Sequence, residues 1–233
     1  MTIPNSAYAP LPSLPLMVWL SPAFPVGGFA YSHALEWAAA AGDLPHADAL
    51  QVWLDDLVAH GAIRNDAILL SAALQAARDG DAIALIDAND LALALAGSRE
   101  RFIESSAQGD AFRIAIRASW RNDAFDRFDT AICGAIAYPV TVGAAAGAHG
   151  QDLGATLDAY LMATISNLTS AAIRLGVLGQ TDAQRIIVQA LPDLRQLAAF
   201  AIHATLDDVG GCAFRSDIAS MRHETQATRL FRT

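Results

Sequence analysis

The chain has 233 residues, of which 54% are hydrophobic and 17% charged, so it can bury a core of its own and is not an intrinsically disordered sequence. Its net charge of −9 comes from 24 acidic and 15 basic residues, and this excess of acids argues against nucleic acid as a partner. Every basic residue is arginine, and the lack of lysine excludes both a P-loop and Schiff-base chemistry.

Helical periodicity runs through nearly the whole chain, and about fifty alanines favour helix further. The polar, proline-rich start predicts a disordered segment over residues 1–12. Spacing and punctuation then predict helices over 13–20, 29–41, 45–61, 64–78, 81–96, 98–119 and 153–175, and two more between 181 and 206. The charged residues 122–129 are expected to form a connection, and two helical segments are expected to meet near Tyr138 and Pro139.

Local signals support several of these helices. The apolar residues Leu50, Trp53, Leu54, Leu57 and Val58 follow a 3.6-residue period and predict one buried stripe. Asp152 is placed to begin the long helix that follows it, and Thr181 with Gln184 predicts a capping box for the next one. Pro192 is expected to interrupt that helix.

The predicted fold is therefore all-α, with a single domain of about eight to ten helices around one core and flexible N- and C-terminal tails. The helical domain is expected over residues 13–211. Residues 212–233 are polar and rich in arginine, and they are too short to bury themselves. Because this tail nevertheless contains Leu230 and Phe231, we expect it to bind a partner.

The sequence suggests a cytoplasmic protein. The N-terminal residues lack the basic region of a signal peptide, and the least charged stretch, Ala131–Ala148, is built from alanine and glycine around a proline. We therefore consider a membrane-associated helical protein a weak alternative. The two cysteines, Cys133 and Cys212, are far apart and are expected to be buried thiols in a reducing compartment.

No complete catalytic or metal-binding motif is present in the sequence. His33 and Glu36 are spaced to share one helix face, which is half of a metal site, and a helical metalloenzyme with further ligands from another helix is the main alternative function. Glu100 and Glu104 lie a turn apart and are expected at a solvated or partner-facing edge. Polar residues on the long helix, Asn167, Ser170 and Arg174, are expected to bond neighbouring helices or to border a channel or an interface.

Five segments together resemble the UreF family of urease accessory proteins. They are SPAFPVGGFAYSHALEW (21–37), Glu104 with Gln108-Gly109, Tyr138-Pro139-Val140, AAIRL (171–175) with Gly179-Gln180, and SMRHETQATRLFRT (220–233). The segments occur in the family's order and span nearly the whole chain after residue 13. The sequence departs from the family at Ala34, where glycine is expected, and at Thr233, where serine is usual.

The resemblance implies a non-catalytic protein that helps to mature a nickel enzyme. Members of the family are all-α and dimerise. They bind a second accessory protein, the D or H component, and they recruit a GTPase, the G component. The assembly delivers nickel to apo-urease, and the family is proposed to regulate GTP hydrolysis and to conduct nickel through an internal tunnel. No resident cofactor is implied, and nickel contact is at most transient, at His223.

The resemblance also assigns roles to individual residues. Pro22, Pro25, Gly27 and Gly28 are expected to direct the chain without taking part in chemistry. The partner-binding residues are expected to be Tyr31, Ser32, Glu36, Met221, His223, Glu224, Arg229, Leu230, Phe231 and Arg232. Within the tail, Phe231 is expected to be the apolar contact with the D/H component, and the arginines are expected to pair with its acids. His223 with Glu224 could instead form a pair at a helix end within this chain alone.

Overall fold

Alanine-rich amphipathic segments fold into helices throughout residues 13–233, the part of the chain that the computed structural model describes. The helices are α1 (Leu14–Trp19), α2 (Leu35–Ala40), α3 (Ala47–Ala59), α4 (Ala62–Asp79), α5 (Ala82–Ala94), α6 (Arg99–Ser119), α7 (Asp123–Ala131), α8 (Tyr138–Ala148), α9 (Leu153–Arg174), α10 (Gln180–Ala201) and α11 (Phe214–His223). Short 3-10 turns lie at Gly28–Ala30 and Leu206–Asp208. No strand occurs in this part of the chain, so the predicted all-α fold is confirmed. The predicted disorder of residues 1–12 lies outside the described residues.

The centre of the fold is the close packing of α4 against α8. Gly143 and Gly147 lie one turn apart on α8, and a Cβ atom at either position would come within 2.4 Å of a carbonyl oxygen of α4, that of Leu70 or Leu74. Only glycine permits this approach of the two backbones. Within the alanine- and glycine-rich stretch, Tyr138–Ala148 is thus a buried packing element. No helix among residues 13–233 is long and apolar enough to cross a membrane.

The strongest local signals are confirmed. All five residues of the apolar stripe on α3 are buried, and they face α4 and α10. Asp152 caps α9 by accepting a hydrogen bond from the backbone N–H of Ala155 at 2.8 Å. These helices begin and end near the predicted positions because capping and amphipathic burial agree.

The connection predicted over residues 122–129 is wrong, because Asp123–Ala131 forms α7. Asn122 caps the helix by accepting hydrogen bonds from the backbone N–H groups of Ala124 and Phe125. Phe125 and Phe128 lie one turn apart and are both buried. Two well-placed aromatic side chains outweigh the charged composition that suggested a loop.

The predictions for α10 are also wrong in two details. Gly179 occupies the N-cap position, so Thr181 and Gln184 lie inside the helix and form no capping box. Pro192 does not divide the helix, which continues to Ala201. Pro192 is exposed, so the carbonyl that loses its helical partner can be hydrated. The last predicted helix therefore ends five residues before Leu206, which begins a separate 3-10 turn.

Both cysteines are exposed, which contradicts the prediction of buried thiols. Cys133 follows the end of α7, and Cys212 follows Gly210 and Gly211 in the connection to α11. The prediction followed from the usual burial of free cysteine, but both cysteines have alanine- and glycine-rich neighbours. In the structure these neighbours belong to connecting segments at the surface.

The helix predicted over residues 29–41 begins only at Leu35. His33 and Ala34 have φ angles of +55° and +68°, so the chain turns through two left-handed residues before α2. This conformation costs a residue with a side chain about 1–2 kcal/mol. It explains why the family pattern has glycine where this chain has Ala34.

Substitutions at Ala34 distinguish this turn from the helix that the sequence predicted. We expect Ala34→Gly to change the free energy of unfolding by less than about 1 kcal/mol, because relief of the left-handed strain offsets the lost burial of a methyl group. Ala34→Val should cost about 2 kcal/mol or more, since its branched side chain fits neither the φ angle nor the buried site. Chemical denaturation of the two variants measures the difference. In a helix the order would be reversed, with glycine the more harmful residue.

The C-terminal part of the chain is placed differently from the flexible tail that we expected. Residues Phe214–His223 form α11, which packs against α2 and α6. Residues 224–233, here called the C-terminal segment, then fold back over residues 30–36. Phe231 and Thr233 are only 4% and 1% exposed. The polar residues that led us to expect a flexible tail form hydrogen bonds and ion pairs with buried residues of distant helices.

Candidate functional site

The C-terminal segment lies along the turn that precedes α2. The backbone N–H of Arg232 donates to the carbonyl of Ala30 at 2.8 Å, and the N–H of Ser32 donates to the carbonyl of Thr233 at 2.9 Å. The hydroxyl of Ser32 donates to the same Thr233 carbonyl at 2.6 Å. The two segments of the family pattern, far apart in sequence, therefore form one paired structure.

Glu36 is the residue that holds the C-terminal segment most directly. Its buried carboxylate accepts hydrogen bonds from the backbone N–H groups of Leu230 and Phe231, the latter at 2.9 Å. The Nε2 atom of His223 lies 3.2 Å from the same carboxylate. Glu36 reaches these groups because it points inward from the first turn of α2. Three donors on one carboxylate compensate for removing its charge from water.

His223 lies between two carboxylates. Its imidazole is 0% exposed, and its Nδ1 atom lies 2.7 Å from an oxygen of Glu100 on α6. The other oxygen of Glu100 accepts a hydrogen bond from Arg229 at 2.8 Å. We call Glu36, Glu100, His223 and Arg229 the tail-binding cluster. The expectation that Glu100 lies at a solvated or partner-facing edge is wrong, because His223 and Arg229 cover it.

A second group of charged residues surrounds Glu104, one turn further along α6. Its carboxylate is 2.7 Å from Arg101 and accepts a hydrogen bond from the hydroxyl of Thr233 at 2.9 Å. Burial alone would raise the pKa of Glu104, but the positive charge of Arg101 and the hydrogen bond from Thr233 outweigh it and lower this pKa to about 2. Glu104 is thus also buried and paired within the chain, which again contradicts an exposed edge.

His33 is the neutral member of this second group. Burial, together with the positive charge of Arg101, lowers the pKa of His33. Its Nδ1 atom contacts a guanidinium nitrogen of Arg101, a geometry in which an unprotonated ring nitrogen accepts. His33 therefore helps to orient Arg101 towards Glu104, and the C-terminal segment is held by two adjacent ionic groups.

Arg174 fixes the aromatic side chains on either side of this junction. Its guanidinium carbon lies 3.6 Å from the ring centre of Phe29 and 4.3 Å from that of Phe231, and it donates to the carbonyl of Phe29 at 2.6 Å. Asn167 donates to the carbonyl of Gly28 at 3.2 Å. The polar stripe on α9 therefore bonds the turn before α2 instead of a neighbouring helix.

The proline and glycine residues of the first segment lie in the turns between α1 and α2. Pro22 and Pro25 are exposed in the turns that follow α1. Gly27 adopts a φ angle of +71°, which favours glycine, and Gly28 begins the 3-10 turn. These turns lead the chain to Ala30 and Ser32, which hydrogen-bond with the C-terminal segment.

The other predicted partner-binding residues divide into a buried and an exposed set. Tyr31, Ser32, Glu36, His223 and Phe231 are buried, whereas Met221, Glu224, Arg229, Leu230 and Arg232 are exposed. Phe231 is thus placed differently from the apolar contact residue we expected, since its ring is covered by Arg174. Glu224 accepts a hydrogen bond from the backbone N–H of Arg99 at 2.9 Å, which ties α11 to the start of α6.

His33 and Glu36 do not form the half-site proposed for a metalloenzyme. The left-handed turn removes His33 from the helix, so it faces Arg101 and Glu104 while Glu36 faces His223. Among residues 13–233 no three histidine, cysteine, aspartate or glutamate side chains are grouped to hold a metal ion.

The sequence alone indicated no role at the site for Arg101 or for the side chain of Thr233. It placed Arg174 only in a polar stripe of α9, and it predicted a solvated or partner-facing edge for Glu100 and Glu104. One signal was available, because two glutamates one turn apart on α6 suggest a shared environment. Their partners on α11 and on the C-terminal segment are more than 120 residues away along the chain, where no helical pattern connects them.

Comparison with known proteins gives consistent matches to one family. The model of the UreF family matches residues 44–191, which is more than half of the chain. The urease accessory protein UreF of Xanthobacter autotrophicus is 49% identical over 229 residues, covering 98% of this chain and 94% of the relative. The proteins of the same name from Methylobacterium radiotolerans and Azorhizobium caulinodans are 48% and 46% identical, and each alignment covers at least 96% of both chains.

Proposed function

Because the chain belongs to the UreF family of urease accessory proteins, we propose that it works as a non-catalytic adaptor in the maturation of urease. It binds the D/H accessory component, recruits and regulates the G-component GTPase, and helps to deliver nickel to apo-urease. It acts in the cytoplasm as a homodimer. Nickel is the cargo of the assembly, and the chain itself holds no resident metal.

The observation that carries the adaptor proposal is the outer face of α11. Phe214, Ile218 and Met221 lie at successive turns and are 73%, 51% and 50% exposed. Arg215 and Arg222 are exposed on the same helix. Clustered apolar and arginine side chains are typical of protein interfaces. The two arginines make this surface locally basic although the whole chain has a net charge of −9. The surface therefore suits a partner that presents acidic residues around an apolar patch.

The tail-binding cluster supports the same proposal by fixing the position of this face. Glu36 and Glu100 hold the end of α11 through His223, and Leu230 and Arg232 are exposed on the C-terminal segment that follows it. The buried residues Tyr31, Ser32 and Phe231 then have an indirect role, because they support the surface that meets the partner. We propose that Met221, Leu230 and Arg232 contact the D/H component directly.

A charge introduced on the apolar face of α11 tests the adaptor proposal. Ile218→Glu is expected to weaken retention of the D/H component at least about tenfold, because it places an unpaired charge in an apolar contact. The measurement is co-purification of the co-expressed proteins through a tag on the D/H component. The G component should be lost with this complex.

Val188→Glu is the matched control, since Val188 is also an exposed aliphatic residue on a helix, at 62% exposure on α10. It should leave the complex intact. Both variants should unfold at the temperature of the unchanged protein. Normal retention of both components by Ile218→Glu, or by a chain that ends at Gly211, would rule out the α11 surface as the docking site.

Nickel contact by His223 would require α11 to move away from α2 and α6. Both ring nitrogens face carboxylates of these two helices, so neither nitrogen is available to a metal ion. We therefore propose that any such contact is transient. Metal that survives extensive dialysis of the purified chain in stoichiometric amount would contradict this proposal and favour the metalloenzyme alternative.

A further inference from the structure

We propose that the proton on His223 fastens the C-terminal segment to the helical body, so that the segment loosens as the pH rises. The inference concerns regulation and goes beyond the adaptor role. It begins with the two ring nitrogens, each of which faces a carboxylate oxygen, Glu100 at 2.7 Å and Glu36 at 3.2 Å. A carboxylate only accepts, so both nitrogens must carry hydrogen, and His223 is an imidazolium ion.

The charges around His223 balance only in this protonated state. From α2 and α6 it is faced by the carboxylates of Glu36 and Glu100, and the C-terminal segment contributes the cation of Arg229. Arg101 and Glu104, further along α6, already pair with each other. Two carboxylates are thus neutralised by two cations. Loss of the proton leaves a buried net negative charge and turns a ring lone pair towards a carboxylate.

The same carboxylate connects this proton to the backbone of the segment. One oxygen of Glu36 lies 3.2 Å from His223 Nε2 and also accepts the N–H of Phe231 at 2.9 Å. When His223 becomes neutral, the pair of carboxylates repels, and Glu36 is drawn towards water and away from the N–H groups of Leu230 and Phe231. We call the state in which the C-terminal segment is bound to the helical body the closed state, and the state in which it is detached the open state. The proton that His223 holds in the closed state is therefore released when the segment detaches.

The direction of the pH dependence follows from this linkage. The closed state binds one proton more than the open state once His223 in the open segment is neutral. The equilibrium between them then shifts towards the open state by at most about tenfold per pH unit, and the shift ends when His223 is neutral in both states. Histidine is suited to this role because its titration falls near physiological pH.

Hydrogen exchange of the full chain, followed by mass spectrometry from about pH 6 to about pH 9, tests the proposal. After correction for intrinsic exchange rates, protection of the Leu230 and Phe231 amides should fall as the pH rises. His223→Gln should show low protection that does not depend on pH, because glutamine carries no titratable proton. His203→Gln, which changes an exposed histidine, should behave like the unchanged protein.

A second measurement does not depend on any variant. Ring-nitrogen NMR shifts of the unchanged protein should show His223 doubly protonated at about pH 7, when an exposed histidine is largely neutral. A neutral His223 ring at that pH would overturn the proposal. So would protection of Leu230 and Phe231 that is unaffected by pH, or that falls equally in His223→Gln.

Discussion

Replacing Glu36 with alanine is expected to detach the C-terminal segment from the helical body. The change leaves the backbone N–H groups of Leu230 and Phe231 without an acceptor and His223 with one carboxylate partner instead of two. Removing one partner from a buried ionic group costs about 3–5 kcal/mol. Amide protection in residues 224–233 should therefore fall about a hundredfold or more.

Two further variants show whether the effect belongs to the carboxylate itself. Glu36→Gln keeps one acceptor oxygen and should lose part of the protection. Asp48→Ala removes a carboxylate that is 88% exposed on α3 and should leave exchange in the segment unchanged. Wild-type protection in Glu36→Ala would mean that the segment is held by other contacts, and it would remove the basis for the tail-binding cluster.

Replacing Gly109 with alanine should destabilise the whole domain. A Cβ atom at this position of α6 would lie 2.0 Å from the carbonyl oxygen of Ile136 and 3.1 Å from the carbonyl carbon of Ala137. The opposing backbone is held in place by Asn89, which bonds both Ala135 and the N–H of Ala137. The expected cost is about 3 kcal/mol, which lowers the melting temperature by about 10 °C.

Gly154→Ala is the matched control for this change. Gly154 also lies in a long helix, α9, but an added Cβ would meet nothing closer than 3.4 Å. Alanine should therefore leave stability unchanged or raise it by up to about 1 kcal/mol through its helix propensity. Thermal unfolding that is the same for Gly109→Ala and the unchanged protein would show that α6 does not approach the chain before α8 this closely.

Most of the helical domain could be predicted from the sequence because the signals that define each helix lie within that helix or at its ends. The apolar stripe of α3 and the cap at Asp152 are each encoded within a few residues. The failures occurred where a local pattern was outweighed by tertiary contacts. Buried Phe125 and Phe128 stabilise α7 in a charged stretch, and surface exposure lets α10 continue through Pro192.

The candidate site could be predicted only as separate pieces. The resemblance identified both the segment before α2 and the C-terminal residues, but not that they touch. Glu36 and His223 are 187 residues apart, and no periodicity relates them. The burial of Glu100 and Glu104 is equally invisible in the sequence, because a charged helix face is usually solvated unless a distant segment covers it.

The pairing of Ser32 and Ala30 with Thr233 and Arg232 has a consequence for the evolution of the family. A side chain that changes size or charge in one of these two stretches alters the fit of the other. Substitutions in them should therefore be correlated among homologues. A chimera that takes only one stretch from a distant relative should be less stable than one that exchanges both.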